Sequence, residues 1–352
     1  MHPSGTIGWA IVGCGRVTDR RLAPVFARID DATLVALCSR DLAKARSYAQ
    51  RHRALRVYDS LDGLLADGGV DVVYIATPNA LHVDGAIRCL AGGKHVLVDK
   101  PMATDAAAAQ RMIEAAQKSG RLLGVMQQQR FHPANVHLIR LHDEGELGKL
   151  LFLRVHVGIW YPPAENWRGR PEMSGGGVVI DLGPHALDLM MQVAGDIRRV
   201  EAQTRNLQFA GPVEDFCGVR LEFAGGTLGL LELSYCSHEY GGRIEAYGSE
   251  ATFLADGSMQ QADTYGTWFR RGSEAGQMSR EVGATDCYQA AIEDFTDAVI
   301  HRGDPAISMW DGLRVMQVID AIYASARSGK PVDVAQPLTS DVKGQPPSAG
   351  GV

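Results

Sequence analysis

Cysteine is sparse and unpatterned in this chain. Its six cysteines (Cys14, Cys38, Cys89, Cys217, Cys236, Cys287) are scattered through 352 residues, and no two form a C-x-x-C. That excludes a disulfide framework and a cysteine zinc site, and it points to reduced thiols in a cytoplasmic protein. The eleven histidines show no H-E-x-x-H or similar spacing, so no metal centre is expected. Charge of one sign is nowhere concentrated. The formal net charge is −6 without a block of like residues, which leaves no basic face for nucleic acid. No apolar run approaches the length of a membrane span. The N-terminus lacks the basic region and long apolar stretch of a signal peptide, so none is expected.

What remains is an ordinary globular composition, 45% hydrophobic and 22% charged, in a chain long enough for two domains. The pattern divides into residues 1–126, residues 127–334, and a tail at 335–352 that is rich in Pro, Gly and Ser and expected to be poorly ordered.

In the first part, strands and helices alternate. Apolar strands are predicted at Thr6–Val12, Thr33–Cys38, Val57–Tyr58, Val70–Ala76, around Val96–Val98, and at Leu122–Met126. Helical patterns lie between them, the first running to about Ile29. That alternation implies a parallel sheet with helices on both faces. Directly after the first strand comes Gly13-Cys14-Gly15-Arg16-Val17-Thr18, a G-x-G-x-x-G pattern with Thr in the third place. The first glycine permits a tight turn, and the second lets backbone approach a pyrophosphate. The helix start at Arg16 and Val17 offers free N–H groups to phosphate.

The second strand ends in Ser39-Arg40-Asp41. Ser39 stands where an NAD-binding domain carries its ribose-binding acid, and Arg40 follows, so NADP(H) is favoured over NAD(H). The competing reading has Arg40 flanking the adenine and Asp41 capping the next helix. Thr77 and Asn79, after the fourth strand, are candidates for the nicotinamide half of the cofactor. His82 is either a further contact or a histidine satisfied locally.

The fifth strand ends Asp99-Lys100-Pro101, so a buried strand delivers a lysine at its carboxyl end, where ligands of such sheets bind. The second part reads as an α+β domain with a large, mostly antiparallel open sheet. Strands are predicted at Leu150–Val157, Phe216–Phe223, Leu228–Tyr235, Ile244–Tyr247, Thr252–Ala255 and Tyr265–Arg270. Its closing helices, Tyr288–His301 and Trp310–Ser328, cannot cover both faces of such a sheet, so a homodimer or homotetramer through this sheet is expected.

Within it, Ser174–Asp188 reads SGGGVVIDLGPHALD. An apolar strand end followed by a helix from about Gly183 would set Asp181 and His185 about one turn apart, facing one cleft. An imidazole beside a carboxylate suits proton transfer near neutral pH. A capping Asp181 and a buried, satisfied His185 are the alternative, and Asp188 reads as support for the helix.

Taken together, Gly13–Thr18, Ala76–His82, Gly93–Pro101, Gln128–Pro133 and Gly175–Asp188 resemble, in order, the motifs of the glucose–fructose oxidoreductase / inositol dehydrogenase (Gfo/Idh/MocA) superfamily. The resemblance implies a Rossmann domain and an open-sheet domain. It implies an NAD(P)-dependent oxidoreductase acting on a secondary alcohol or ketone of a sugar, sugar derivative or cyclitol. Lys100, Asp181 and His185 would then be catalytic: His185 moves the proton, Lys100 polarises the oxygen, and Asp181 orients substrate or histidine. Asp99, Lys100 and Gln128 would line the cofactor, and Trp167-Arg168 matches the segment lying over the nicotinamide. Asp99 departs from the usual glutamate. Arg170 stands where relatives commonly have aspartate, which raises the question of an anionic substrate. Two other readings share the fold: a redox-neutral glycosidase with tightly held NAD, and a non-catalytic nucleotide-binding regulator.

Overall fold

The computed structural model describes residues 5–163, 166–238, 241–259, 264–282 and 286–335. The expectation for the tail falls outside these residues beyond Ala335.

The first sheet has six strands in the order β3-β2-β1-β4-β5-β6. They are β1 (Ile7–Val12), β2 (Ala32–Cys38), β3 (Arg56–Tyr58), β4 (Val72–Ile75), β5 (His95–Asp99) and β6 (Leu123–Met126). Every pairing is parallel. Both faces are covered, so the central strands are buried apolar runs instead of alternating ones. Strand order reverses between β1 and β4, which opens a crevice at the carboxyl ends of β1 and β4. Helices α1 (Leu42–His52), α2 (Leu61–Leu65), α3 (His82–Ala91) and α4 (Ala106–Ser119) make the crossovers. The connection after β1 differs from the expected single helix. It is a π-type turn at Thr18–Leu22 followed by a 3₁₀ stretch at Ala23–Arg28. Pro24 lacks the N–H that an α-ladder needs there, and its ring disfavours the regular helix.

From β6 the chain crosses through α5 (Pro133–Asp143) into a nine-stranded sheet. Its strands are β7 (Leu150–Gly158), β8 (Ile197–Arg205), β9 (Phe216–Phe223), β10 (Leu228–Ser234), β11 (Arg243–Gly248), β12 (Ala251–Asp256), β13 (Thr264–Arg271), β14 (Gln277–Val282) and β15 (Val332–Asp333). The order is β14-β13-β12-β11-β7-β10-β9-β8-β15, antiparallel except where β10 meets β7. Three of these strands lack a matching signal in the sequence. In β8 a register shift between Ile197 and Arg199 breaks the two-residue alternation. β14 is an edge strand whose Met278 is 82% exposed, so burial imprints little pattern on it. β15 is two residues long.

The short α6 (Pro171–Ser174) and the long α7 (Val178–Ala194) precede β8, and α8 (Cys287–His301) and α9 (Met309–Ser328) close the described chain. α7 and α9 pack against one face of the large sheet. The other face carries Leu228 and Leu230, 53% and 38% exposed, beside the Arg154–Glu232 pair at 2.9 Å. α8 returns to the first sheet: Phe295 stacks edge-on against Trp9 at 5.8 Å and sits so close to β6 that a Cβ on Gly124 would lie 2.8 Å from it. One contiguous apolar core runs from β4 and β5 through α4, α9 and α7 to the large sheet. That continuity fixes the carboxyl end of β5 against α7.

Candidate active site

The glycine turn is built by close approach. Gly13 has φ +109°, and a Cβ there would lie 2.5 Å from the Ala76 carbonyl oxygen. A Cβ on Gly15 would meet nothing within 4 Å, so this glycine borders the open cleft. Thr18 is fully buried, and its hydroxyl donates to Gly13 O at 2.6 Å. The third-place threonine therefore closes the turn from within. Arg16 is exposed and Val17 half-buried at the start of the following helical segment. This is a cradle of the kind a dinucleotide pyrophosphate fits. At the end of β2, Asp41 caps α1 by accepting from Lys44 N at 3.0 Å. Ser39 accepts from Asp41 N at 3.2 Å, and Arg40 is exposed.

The loops after β4 and β5 are tied together by His82. Its ring is fully buried, with Nδ1 2.9 Å from Pro101 O and Nε2 2.9 Å from Thr77 O. Burial holds its pKa below the ordinary histidine value. His82 thus packs between two backbone carbonyls, its neutral ring donating to one of them, with no side-chain surface open to a ligand. Asn79, also buried, donates to Ser174 O at 2.8 Å and joins this rim to the segment before α7. Thr77 Oγ1 and Gln128 Oε1 are buried and have no protein partner among the described residues. The Asp99 carboxylate accepts from Lys100 N at 2.9 Å, and burial raises its pKa.

Lys100 projects from the end of β5 into α7. Its ammonium donates to Asp181 O at 2.5 Å and to Asp181 Oδ1 at 3.0 Å. The other carboxylate oxygen, Oδ2, accepts from the Tyr235 hydroxyl at 2.8 Å, with Arg168 Nε 3.5 Å away. Burial alone would raise the Asp181 carboxyl. The Lys100 and Arg168 charges outweigh it and hold the group well below the usual carboxylate range. Arg168 lies 4.4 Å over the Trp167 ring, in a 3₁₀ turn (Trp167–Gly169) capped by Asn166, whose side chain accepts from Arg168 N at 2.9 Å. Arg170 is exposed and begins α6.

His185 stands one turn beyond Asp181 on the same helix. Burial and the nearby Lys100 charge drive its pKa down to about 3, with Asp181 opposing them. Its Nδ1 is buried without a protein partner, and among the described residues Asp181 makes no hydrogen bond to it. In this structure Asp181 acts on the His185 ring through its charge, without a direct hydrogen bond. One oxygen of Asp181 accepts from Lys100 and the other from Tyr235.

The helix carrying these residues also starts earlier than its sequence suggests. Val178-Val179-Ile180, β-branched throughout, is the first turn of α7 and not a strand end. Tertiary packing overrides propensity here. The three glycines make the bend: Gly175 has φ +85°, a Cβ on Gly176 would fall 1.9 Å from the Tyr323 hydroxyl, and one on Gly177 would fall 2.1 Å from Glu214 O. The Glu214 carboxylate accepts from Gly177 N at 3.0 Å and Val179 N at 3.1 Å, and from the Tyr323 hydroxyl at 2.8 Å. It satisfies the free N–H groups at the head of the helix and complements its dipole. Gly177→Ala is accordingly expected to destabilise the protein by about 1–3 kcal/mol through overpacking against backbone. A thermal melt checks this, and an unchanged melt would show that the loop before α7 can yield.

Sequence reasoning missed two residues of this arrangement. Tyr235 ends a recognisable apolar strand, and a hydroxyl at such a strand end was the available signal. Glu214 is a lone acid between elements, and nothing local marks it as the cap of a helix 36 residues earlier.

Both domains match known families. Residues 7–127 match the family described as "Oxidoreductase family, NAD-binding Rossmann fold", and residues 136–254 match "GFO/IDH/MocA C-terminal domain". The chain is 26% identical to 1,5-anhydro-D-fructose reductase from Ensifer adhaerens over 93% of its own length and 98% of the relative's. It is 28% identical to D-xylose 1-dehydrogenase (NADP(+)) 2 from Haloferax volcanii, over 93% and 99%. Among solved structures it resembles aldose-aldose oxidoreductase from Caulobacter crescentus complexed with glycerol, at 27% identity and TM-score 0.87, covering 94% of this chain and all of that one. A nucleotide cradle, a lysine at the strand end and a matching second domain thus arrive in one chain, and it belongs to the GFO/IDH/MocA family of oxidoreductases.

Proposed function

We propose that this protein transfers hydride between a nicotinamide cofactor and a secondary alcohol, or the matching ketone, of a sugar, sugar derivative or cyclitol. The observation that carries this reading is the meeting of Lys100, Asp181 and the His185 helix at the carboxyl end of β5, beside the Gly13–Gly15 cradle. The two relatives named above are a sugar reductase and a sugar dehydrogenase, and neither favours the redox-neutral glycosidase or the regulator.

The bound nicotinamide supplies the hydride acceptor or donor. His185, neutral at physiological pH, takes the hydroxyl proton during oxidation and returns it during reduction. The Lys100 ammonium stabilises the negative charge that develops on that oxygen. Asp181 holds the ammonium in place. In the cofactor cleft, Gly13, Gly15, Arg16 and Val17 would face phosphate. Thr77, Asn79, Asp99, Gln128, Trp167 and Arg168 would frame the nicotinamide half, with His82 supporting them from behind.

Reduced-nicotinamide absorbance with NAD and NADP, against a panel of sugars, cyclitols, anhydro-ketoses and nucleotide sugars, tests the reading. Turnover that vanishes on loss of Lys100 or His185 supports it. Cofactor binding without turnover on any member would count against it. For the cofactor, we favour NADP(H), because Asp41 is committed to capping α1 and Ser39 leaves no acid for a ribose 2′-hydroxyl. A charge-assisted bond from Arg40 to a 2′-phosphate contributes about 1.5–3 kcal/mol, roughly ten- to a hundredfold. Arg40→Ala should raise the KM for NADP by that factor and leave the KM for NAD nearly unchanged. An equal change for both would remove the preference.

The open face of the large sheet, with Leu228, Leu230 and Phe152 on it, supports a homodimer or homotetramer through this surface. No helix among the described residues is long and apolar enough to cross a membrane. No disulfide forms among the described residues, which fits a cytoplasmic protein.

A further inference from the structure

Directly behind the reacting groups lies a buried charge network that the chemistry does not use. Arg130 follows β6, the strand paired with the Lys100 strand. Its side chain is only 10% exposed, and its guanidinium grips Asp188 with two bonds, Nε to Oδ2 at 2.7 Å and Nη2 to Oδ1 at 2.5 Å. Nη1 donates to Ala306 O at 2.7 Å, and Nη2 lies 3.1 Å from Asp311 at the start of α9. Arg314 Nη2 shares the same oxygen, Asp311 Oδ1, at 2.5 Å. Asp188 sits three residues after His185, one turn along α7, and is 2% exposed.

We propose that Arg130 and Asp188 are positioning residues, which set the rotation of α7 so that His185 and Asp181 face Lys100. The fork of a guanidinium on a carboxylate fixes direction as well as distance, which a single ammonium does not. Arg130 is anchored at three further points: its own N–H donates to Gln127 O at 3.1 Å, and its guanidinium reaches Ala306 O and Asp311. Asp188 is anchored only by the helix it belongs to. The pair therefore transmits the position of the first sheet to the helix of the second domain. A buried ion pair is weak evidence for stability by itself, since a well-packed apolar pair often replaces it without loss. Orientation is what a buried fork of this kind adds. The inference rests on the reading that Lys100 and His185 carry the chemistry.

The test follows the His185 ring in protein labelled with ¹⁵N-histidine, its signal assigned with His185→Gln. NADPH affinity is read by fluorescence, thermal stability by melting, and turnover with D-xylose or any panel sugar that the parent accepts. The groups acting on the ring are Lys100 and Asp181. In the parent the imidazole should titrate far below its ordinary range. In Asp188→Asn the helix leans away from Lys100 and water enters. The titration should then rise by a unit or more and kcat should fall at least tenfold, with the NADPH Kd within threefold of the parent. Arg130→Lys should fall between the two. Arg130→Met/Asp188→Leu leaves the Asp311–Arg314 pair intact and should melt near the parent temperature, while keeping the raised titration and the low kcat. A double variant that regains the parent titration along with its stability would overturn the proposal. So would an unmoved titration in both Asp188→Asn and Arg130→Lys. Should no sugar turn over in the parent, the proposed function fails, and the ring titration alone still decides the role of the pair.

Discussion

Lys100→Met is expected to lower turnover by about three orders of magnitude while cofactor affinity stays within about threefold. The charge on Lys100 is aimed where an oxyanion develops, and removing one such preorganised donor commonly costs about 10²–10³ in rate. A second loss adds to this. Asp181 keeps its ionised form because Lys100 and Arg168 outweigh its burial. Without Lys100, one carboxylate oxygen and the Asp181 backbone carbonyl lose their donor together. Met nearly preserves the volume of the side chain, so the packing of β5 against α7 is retained and the loss reports chemistry. Lys100→Arg should not rescue. The ammonium fits between two acceptors at 2.5 and 3.0 Å, and a planar guanidinium has a different reach and shape. Steady-state rates on the best panel substrate, with cofactor binding measured by fluorescence, check this. A variant that retains a tenth of the parent turnover would remove Lys100 from the catalytic role.

Much of this architecture is legible in the residues because a single physical cause acts on each. β1, β4 and β5 are buried on both faces, so continuous apolar runs mark them, and punctuation by Gly13, Pro78 and Pro101 marks their ends. The lysine at the end of β5 is legible for the same reason. The start of α7 is not, because two causes oppose each other there. Val178, Val179 and Ile180 favour a strand by shape. The cap that makes them helical comes from Glu214 and Tyr323, far along the chain. The division of labour around Asp181 is hidden likewise: spacing alone puts it one turn from His185, but Tyr235 and Lys100 decide which partners its oxygens take. The Thr18 departure from glycine is explained only by the hydroxyl bond to Gly13 O, which no spacing rule anticipates.

His185→Gln should reduce kcat/KM for alcohol oxidation at pH 7 by about 10²–10⁴, the usual worth of a positioned general base. Its pH signature follows from the environment of the ring. Burial and Lys100 lower the folded pKa from 6.5 to about 3, so the imidazole is already neutral throughout the working range. Oxidation needs that neutral form, and its kcat/KM should therefore stay flat from pH 5 to 8. Oxidation releases one proton, so the equilibrium ratio of forward to reverse kcat/KM changes about tenfold per pH unit, 1.36 kcal/mol. With oxidation flat, the whole dependence must fall on ketone reduction, which should slow about tenfold for each unit of rising pH. Stability responds in the opposite direction. Between 6.5 and about 3 the unfolded chain binds more protons at this position than the folded one, so His185 erodes stability as pH falls through that window, and His185→Gln should flatten this part of the acid profile. Rates in both directions across pH 5–8 and melts across the acid range decide the matter. An oxidation rate that climbs toward tenfold per unit at pH 5 and levels off above about pH 6.5 would mean the ring titrates near its ordinary value and is not shielded. Profiles in His185→Gln that match the parent in shape and height would mean the proton leaves by another group.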